Sequence, residues 1–145
     1  MLNRREFSLA AAAAFSVPLR AHAQQSPAWE QAVKAILADA KPIEGKLVFD
    51  MPEIAENGNT VPFSVRADSP MTEKDFVKAI HVIATANPQP GVATFHFTPQ
   101  SGKAMVSSRM RLAQTQDVIA IAELSDGKFL MSKRTVKVTI GGCGG

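Results

Sequence analysis

The sequence predicts a mostly β chain: an antiparallel β-sandwich with one N-terminal helix and a flexible, glycine-rich C-terminal arm. Three observations predict it. From Lys46 to Ile140, short apolar runs are separated by clusters of Gly, Pro, Asn, Asp and Ser, the pattern of many short strands joined by turns. Only Pro27 to Ala40 carries apolar residues at helical spacing. The chain then closes on Gly141-Gly142-Cys143-Gly144-Gly145, where there is almost no side-chain surface to dock and much backbone freedom.

At the start, Asn3-Arg4-Arg5-Glu6-Phe7 precedes Ser8, Leu9, Ala10 to Ala14, Phe15 and Val17, then Arg20 and Ala21-His22-Ala23. A charged opening, a short and mildly apolar run and an A-x-A site make residues 1–23 an export signal. The arginine pair resembles the twin-arginine type, which implies export to the periplasm with cleavage near Ala23-Gln24. The apolar run is too short to span a bilayer, and no second apolar stretch is long enough to do so. Removal of residues 1–23 takes Lys plus Arg from 16 to 13, Asp plus Glu from 13 to 12, and the net charge from +3 to +1. No basic stripe remains for nucleic acid. Residues 24–140 make one domain with an adequate core, and residues 141–145 make the arm.

Ser26-Pro27 reads as a helix start, with Ser26 as N-cap and Pro27 at the first position. Trp29, Val33, Ile36, Leu37 and Ala40 form the apolar stripe, and Pro42 and Gly45 end the helix. Lys46 to Asp50 is the first strand. Glu56-Asn57-Gly58-Asn59 is a turn, and Thr60 to Asp68 is a strand with Pro62 near its start. Phe76 to Ala86 is β-rich, and Thr72 to Asp75 before it could form one helical turn. Asn87-Pro88-Gln89-Pro90-Gly91 is a loop. Phe95 and Phe97 alternate with Thr94, His96 and Thr98, and Val106, Ser108, Met110 and Leu112 alternate with Ser107, Arg109 and Arg111. Val118 to Leu124 is almost wholly apolar, as a central strand covered on both faces would be. Ser125-Asp126-Gly127 is a hairpin turn. Val136, Val138 and Ile140 alternate with Thr135, Lys137 and Thr139 and run straight into the glycines. About seven strands result, immunoglobulin-like in architecture but without the Cys…Trp…Cys hallmark of antibody domains.

Chemistry narrows to one residue. His22 leaves with the signal, and His81 and His96 stand on separate strands without metal-ligand spacing. No G-x-S-x-G, P-loop or H-E-x-x-H occurs, and the scattered carboxylates offer no acid–base pair. Lys103, Arg109 and Arg111 read as a solvated strand face. Cys143, the single cysteine, cannot form an internal disulfide. It has no base beside it in sequence, so any activation must come from a pocket that it enters. Fully extended, the five arm residues span on the order of 17 Å, at roughly 3.3–3.6 Å per residue. A mobile thiol on a body without a catalytic constellation suits a non-catalytic carrier, with no cofactor of its own.

With these features together, the chain closely resembles the SoxY family, the sulfur-carrier subunits of the bacterial thiosulfate-oxidising (Sox) system. Val136-Lys137-Val138-Thr139-Ile140-Gly141-Gly142-Cys143-Gly144-Gly145 resembles the family's carrier arm, and Pro52 to Pro62 is similar to its central signature. Ser69-Pro70-Met71, Asn87-Pro88 and Ser125-Asp126-Gly127 also fall in its pattern. The resemblance implies that Cys143 is the covalent attachment point and that Gly141, Gly142, Gly144 and Gly145 let it visit several active sites. A haem protein would join thiosulfate oxidatively to the thiol as a cysteine S-thiosulfonate. A hydrolase would release sulfate, and a sulfur dehydrogenase, where a system has one, would act on the remaining sulfane sulfur. It also implies a heterodimer with a SoxZ-like subunit. The Pro52 to Pro62 signature is expected to be a turn that fixes strand pairing.

Two other classes are open on the residues alone. A thiocarboxylate carrier also ends in Gly-Gly, but it needs ATP to activate Gly145 and leaves Cys143 without a role. An immunoglobulin-like periplasmic binding or adhesion module would carry the tail incidentally, and a sulfur adduct on Cys143 would exclude it.

Overall fold

A computed structural model describes residues 26–143. The expected signal and the final Gly144-Gly145 therefore lie outside the described residues. The helix α1 spans Ala28–Leu37, and nine strands follow: β1 Ile43–Glu44, β2 Leu47–Asp50, β3 Ile54–Ala55, β4 Val61–Ala67, β5 Val77–Ala84, β6 Gly91–His96, β7 Ala104–Met110, β8 Gln116–Leu124 and β9 Phe129–Val138. Seven of these strands have four residues or more and correspond to the seven expected. The additional two are the two-residue strands β1 and β3.

The strands form two layers. The larger sheet runs β1-β9-β8-β5-β6, with β3 also paired to β9, and the smaller runs β2-β4-β7. The long strands pair antiparallel. The exceptions are β1 and β3, which lie parallel to β9. Their positions follow from the path of the chain. It touches the larger sheet at Ile43-Glu44, crosses to the smaller sheet as β2, and returns at Ile54-Ala55. These two contacts cover the side of β9 that β8 leaves open, which shields an otherwise unpaired edge.

The core lies between the sheets. Phe49 of β2, Val61 and Val65 of β4, Val77 and Ile80 of β5, Val118 of β8 and Val136 of β9 are fully buried there. A second cluster sits on the outer face of the larger sheet, where Trp29, Val33, Ile36 and Leu37 of α1 pack on Ile83, Ile119 and Ile121. Strand β8 is thus covered on both faces, Val118, Ala120 and Ala122 inward and Ile119 and Ile121 toward the helix. Its unbroken apolar run has that cause.

Local boundaries differ from the expectation where backbone geometry intervenes. Pro27, not Ser26, holds the N-cap position, and no side chain caps the helix. The Pro27 carbonyl instead accepts the Glu30 and Gln31 amides at 3.0 and 3.2 Å. The helix stops at Leu37 because Ala38 turns to a φ of 52°, ahead of the Pro42 expected to end it. Thr72 to Asp75 is a tight turn and not a helical one, closed by reciprocal Thr72–Asp75 backbone hydrogen bonds of 2.9 and 3.2 Å. The Ser125-Asp126-Gly127 hairpin forms as expected, with Gly127 at a φ of 84°.

Candidate functional site

Cys143 is a free, exposed thiol, and the segment that carries it is not loose up to that point. β9 ends at Val138, and the bent segment beyond it is held on both sides. On one side runs the Glu53 to Asn59 segment. The Lys137 amide donates to Glu53 O at 2.8 Å and the Thr139 amide to Ala55 O at 3.0 Å. The Thr139 hydroxyl donates to Glu56 O at 3.0 Å, and the Gly58 amide donates to Ile140 O at 2.7 Å. Asn59 completes the series, its Oδ1 accepting the Cys143 amide at 3.0 Å. On the other side stand Leu112 to Thr115. The Gly142 amide donates to Leu112 O at 2.8 Å, and the Val138 amide donates to Thr115 Oγ1 at 2.9 Å. The two walls are joined by the Leu112 amide, which donates to Gly58 O at 2.8 Å.

These contacts bear on two expectations. The arm makes backbone contacts with the body through Gly141, Gly142 and Cys143, where the sequence left it without a docking partner. The Glu56-Asn57-Gly58-Asn59 segment is the expected turn, closed by the Asn59 amide on Asn57 Oδ1 at 3.0 Å; β3 just before it pairs with β9, and Gly58 and Asn59 also contact the arm root.

The glycines are explained by space. A Cβ on Gly58 would lie 2.3 Å from Leu112 O and 2.6 Å from the Gly142 nitrogen. One on Gly142 would lie 2.6 Å from Gly58 O, and one on Gly141 would lie 2.2 Å from Ala113 O. None of the three has a positive φ. Close passage of three backbones therefore requires glycine at these positions, a role distinct from conformational freedom. A bulky residue at Gly142 disturbs this crossing before it obstructs any partner, so it is not a clean probe of access.

The wall at Leu112 to Thr115 is itself braced by two buried amides, Asn87 and Gln116. Asn87 Nδ2 donates to Arg111 O at 2.8 Å, and Asn87 Oδ1 accepts the Ala113 amide at 3.0 Å and Gln116 Nε2 at 2.8 Å. Gln116 Oε1 accepts the Ala86 amide at 2.9 Å. Asn59, Leu112, Asn87 and Gln116 escaped the sequence reading as parts of a site. For Asn87, only its place in Asn87-Pro88 was a signal.

Among the described residues, no group of three or more His, Cys, Asp or Glu converges on a metal-sized site, and no helix is long and apolar enough to cross a membrane. His81 on β5 and His96 on β6 are in adjacent strands, with Ala79 opposite His96 and Thr94 opposite His81. An open cleft of about 670 Å³ on the smaller sheet, lined by Pro52, Pro62, Ser64, Ser107 and Arg109 among others, does not include the arm.

The comparisons agree with this geometry. A family model described as "Sulfur oxidation protein SoxY" matches residues 33–143, which takes in β1 to β9, the arm root and Cys143. The sulfur carrier protein SoxY from Chlorobium limicola f thiosulfatophilum is 34% identical, with a TM-score of 0.63 over 77% of this chain and 96% of that one. Two superoxide reductases share the fold alone. The neelaredoxin from Ignicoccus hospitalis is 14% identical, with a TM-score of 0.58 over 65% of this chain and 80% of that one. A putative enzyme from Thermotoga maritima is 17% identical, with a TM-score of 0.56 over 68% and 87%. No curated protein matches the chain.

Proposed function

The chain belongs to the SoxY family of sulfur oxidation proteins, and from that membership we propose that it is a periplasmic sulfur carrier of a thiosulfate-oxidising system, with Cys143 as the covalent attachment point. The observation that carries the reading is the exposed thiol at the end of a braced glycine track. In loading, the thiol and thiosulfate lose two electrons and the thiol proton as the S–S bond forms. The two electrons leave one at a time through the haem of a loading partner to an electron acceptor beyond it, and the product is a cysteine S-thiosulfonate. A hydrolase partner then adds water across the bond to the sulfone sulfur, which releases sulfate and leaves sulfane sulfur on Cys143. A sulfur dehydrogenase, where present, oxidises that sulfur further. The chain's own part is to present the sulfur, so it acts as a carrier and not as an enzyme. A SoxZ-like subunit completes a heterodimer, and a twin-arginine signal over residues 1–23 delivers the chain to the periplasm.

Cys143→Ser tests the reading. The serine keeps the backbone amide that Asn59 accepts and removes the sulfur. Fold stability and partner binding should be unchanged, while thiosulfate-dependent electron transfer in a reconstituted system falls to background. Full turnover by the serine variant excludes a carrier role. Intact mass of protein taken from its native periplasm should show a chain that begins near Gln24 and a sulfur adduct on Cys143.

A further inference from the structure

Spontaneous deamidation of an asparagine uses the amide nitrogen of the next residue as nucleophile. Asn57, Asn59 and Asn87 are the asparagines among the described residues, and only Asn57 precedes a glycine. Asn87 is buried and precedes Pro88, which has no N–H to give up. Asn59 precedes Thr60, whose branched Cβ crowds the nitrogen. Gly58 has no Cβ to crowd it. The turn then assembles half of the reaction. Asn57 is exposed, and its Oδ1 accepts the Asn59 amide at 3.0 Å, a donor placed where negative charge gathers as the carboxamide is attacked. The nucleophile is withheld. Gly58 is buried, its amide donates to Ile140 O at 2.7 Å, and its carbonyl accepts the Leu112 amide at 2.8 Å. The Gly142 backbone crosses it closely.

We propose that Asn57 is a modification site of this chain: a succinimide-forming asparagine kept unreacted while the Ile140 to Gly142 segment lies on Gly58. When that segment lifts, the Gly58 amide opens to water and can lose its proton. Its nitrogen attacks Asn57 Cγ, the bond from Cγ to the carboxamide nitrogen breaks, and that nitrogen leaves as ammonia with the proton. Water opens the resulting cyclic imide at either carbonyl and gives aspartate or isoaspartate, with no oxidant or reductant required. The isoaspartate branch routes the main chain through the side chain and lengthens it by a methylene between residues 57 and 58. Gly58 is then displaced from its bonds to Ile140 O and the Leu112 amide, and the arm root loses its seat. Each excursion of the arm that uncovers Gly58 therefore exposes this reaction, and residue 57 records the time spent uncovered. The chemistry does not depend on what Cys143 carries.

The test incubates the full mature chain, kept reduced, in mildly alkaline buffer and scores aspartate and isoaspartate at position 57 by peptide mapping. The native chain should react at least about ten-fold more slowly than the same chain in urea, because the Gly58 amide must first open. Asn59 should react far more slowly than Asn57 in urea, and Asn57→Ser, which has no carboxamide, should give no product at that position. Gly142→Ala places a Cβ 2.6 Å from Gly58 O and should raise hydrogen exchange at the Gly58 amide and deamidation at Asn57 together. The isoaspartate form, separated by ion exchange, should show faster hydrogen exchange at the Gly142 amide than the unreacted chain. A native chain that deamidates as fast as the unfolded one overturns the proposal, as does an unfolded chain without product at position 57. Gly142→Ala that leaves either rate unchanged overturns the shielding by the arm root, and unchanged Gly142 exchange in the isoaspartate form overturns its release.

Discussion

His81 shows burial outweighing an attractive neighbour. Its Nδ1 lies 3.0 Å from Thr94 Oγ1, and its buried Nε2 has no hydrogen-bond partner among the described residues. Glu123 Oε2 stands 3.9 Å from Nε2, yet desolvation holds the imidazole below its ordinary value of 6.5, with His96 adding to the effect. Lys78 Nζ holds the other Glu123 oxygen at 3.1 Å. The folded state therefore binds fewer protons than the unfolded chain in mildly acid solution. That stability is present above about pH 6.5 and is lost as pH falls from there toward the lower folded value. Urea midpoints measured from about pH 7.5 to 5 should decline, and His81→Gln should flatten that part of the decline. An equal decline in the variant would assign the effect to other groups.

At the scale of elements, the arm root follows β9 and lies between two loops. Gly58 is its keystone, since it donates to Ile140 O and accepts from the Leu112 amide. Gly58→Ala must push apart backbone atoms that an added Cβ would meet at 2.3 and 2.6 Å. Loss of two such hydrogen bonds costs about 1–3 kcal/mol, so chemical denaturation should show a loss of that size together with faster exchange at Gly142 and Cys143. Gly91→Ala is the control. Nothing lies within 4 Å of its added Cβ, and its effect should stay within about 0.5 kcal/mol. Equal effects at the two positions would mean that the Gly58 crossing does not bear on stability.

On the scale of the whole molecule, β2 and β7 flank the smaller sheet and β6 ends the larger one. Val48 and Met105 stand exposed on the smaller sheet's strands. Among the described residues these edges have no strand partner, and such edges call for cover. Co-expression with a SoxZ-like subunit should give a one-to-one heterodimer by size-exclusion chromatography, whereas the chain alone should self-associate or form disulfides through Cys143. A monomer that ignores the second subunit would count against the assigned partner.

Local pattern determined much of this protein. Alternation and short apolar runs bounded by turn residues placed the seven long strands, helical spacing placed α1, and the apolar run of β8 announced a strand covered on both faces. The lone cysteine among glycines marked the candidate site. These features are legible because each depends on residues close together in the chain. Tertiary structure decided the rest. It set β1 and β3 parallel to β9, brought Gly58 and Asn59 against Gly142 and Cys143 across 84 positions, and set Asn87 and Gln116 behind Leu112. Those contacts are backbone hydrogen bonds and close glycine crossings between distant segments, and such pairings leave no periodicity in either segment. A glycine required for space looks the same in sequence as one required for freedom, so the run read as a tether gave no sign of the backbone contacts it makes with the body through Cys143.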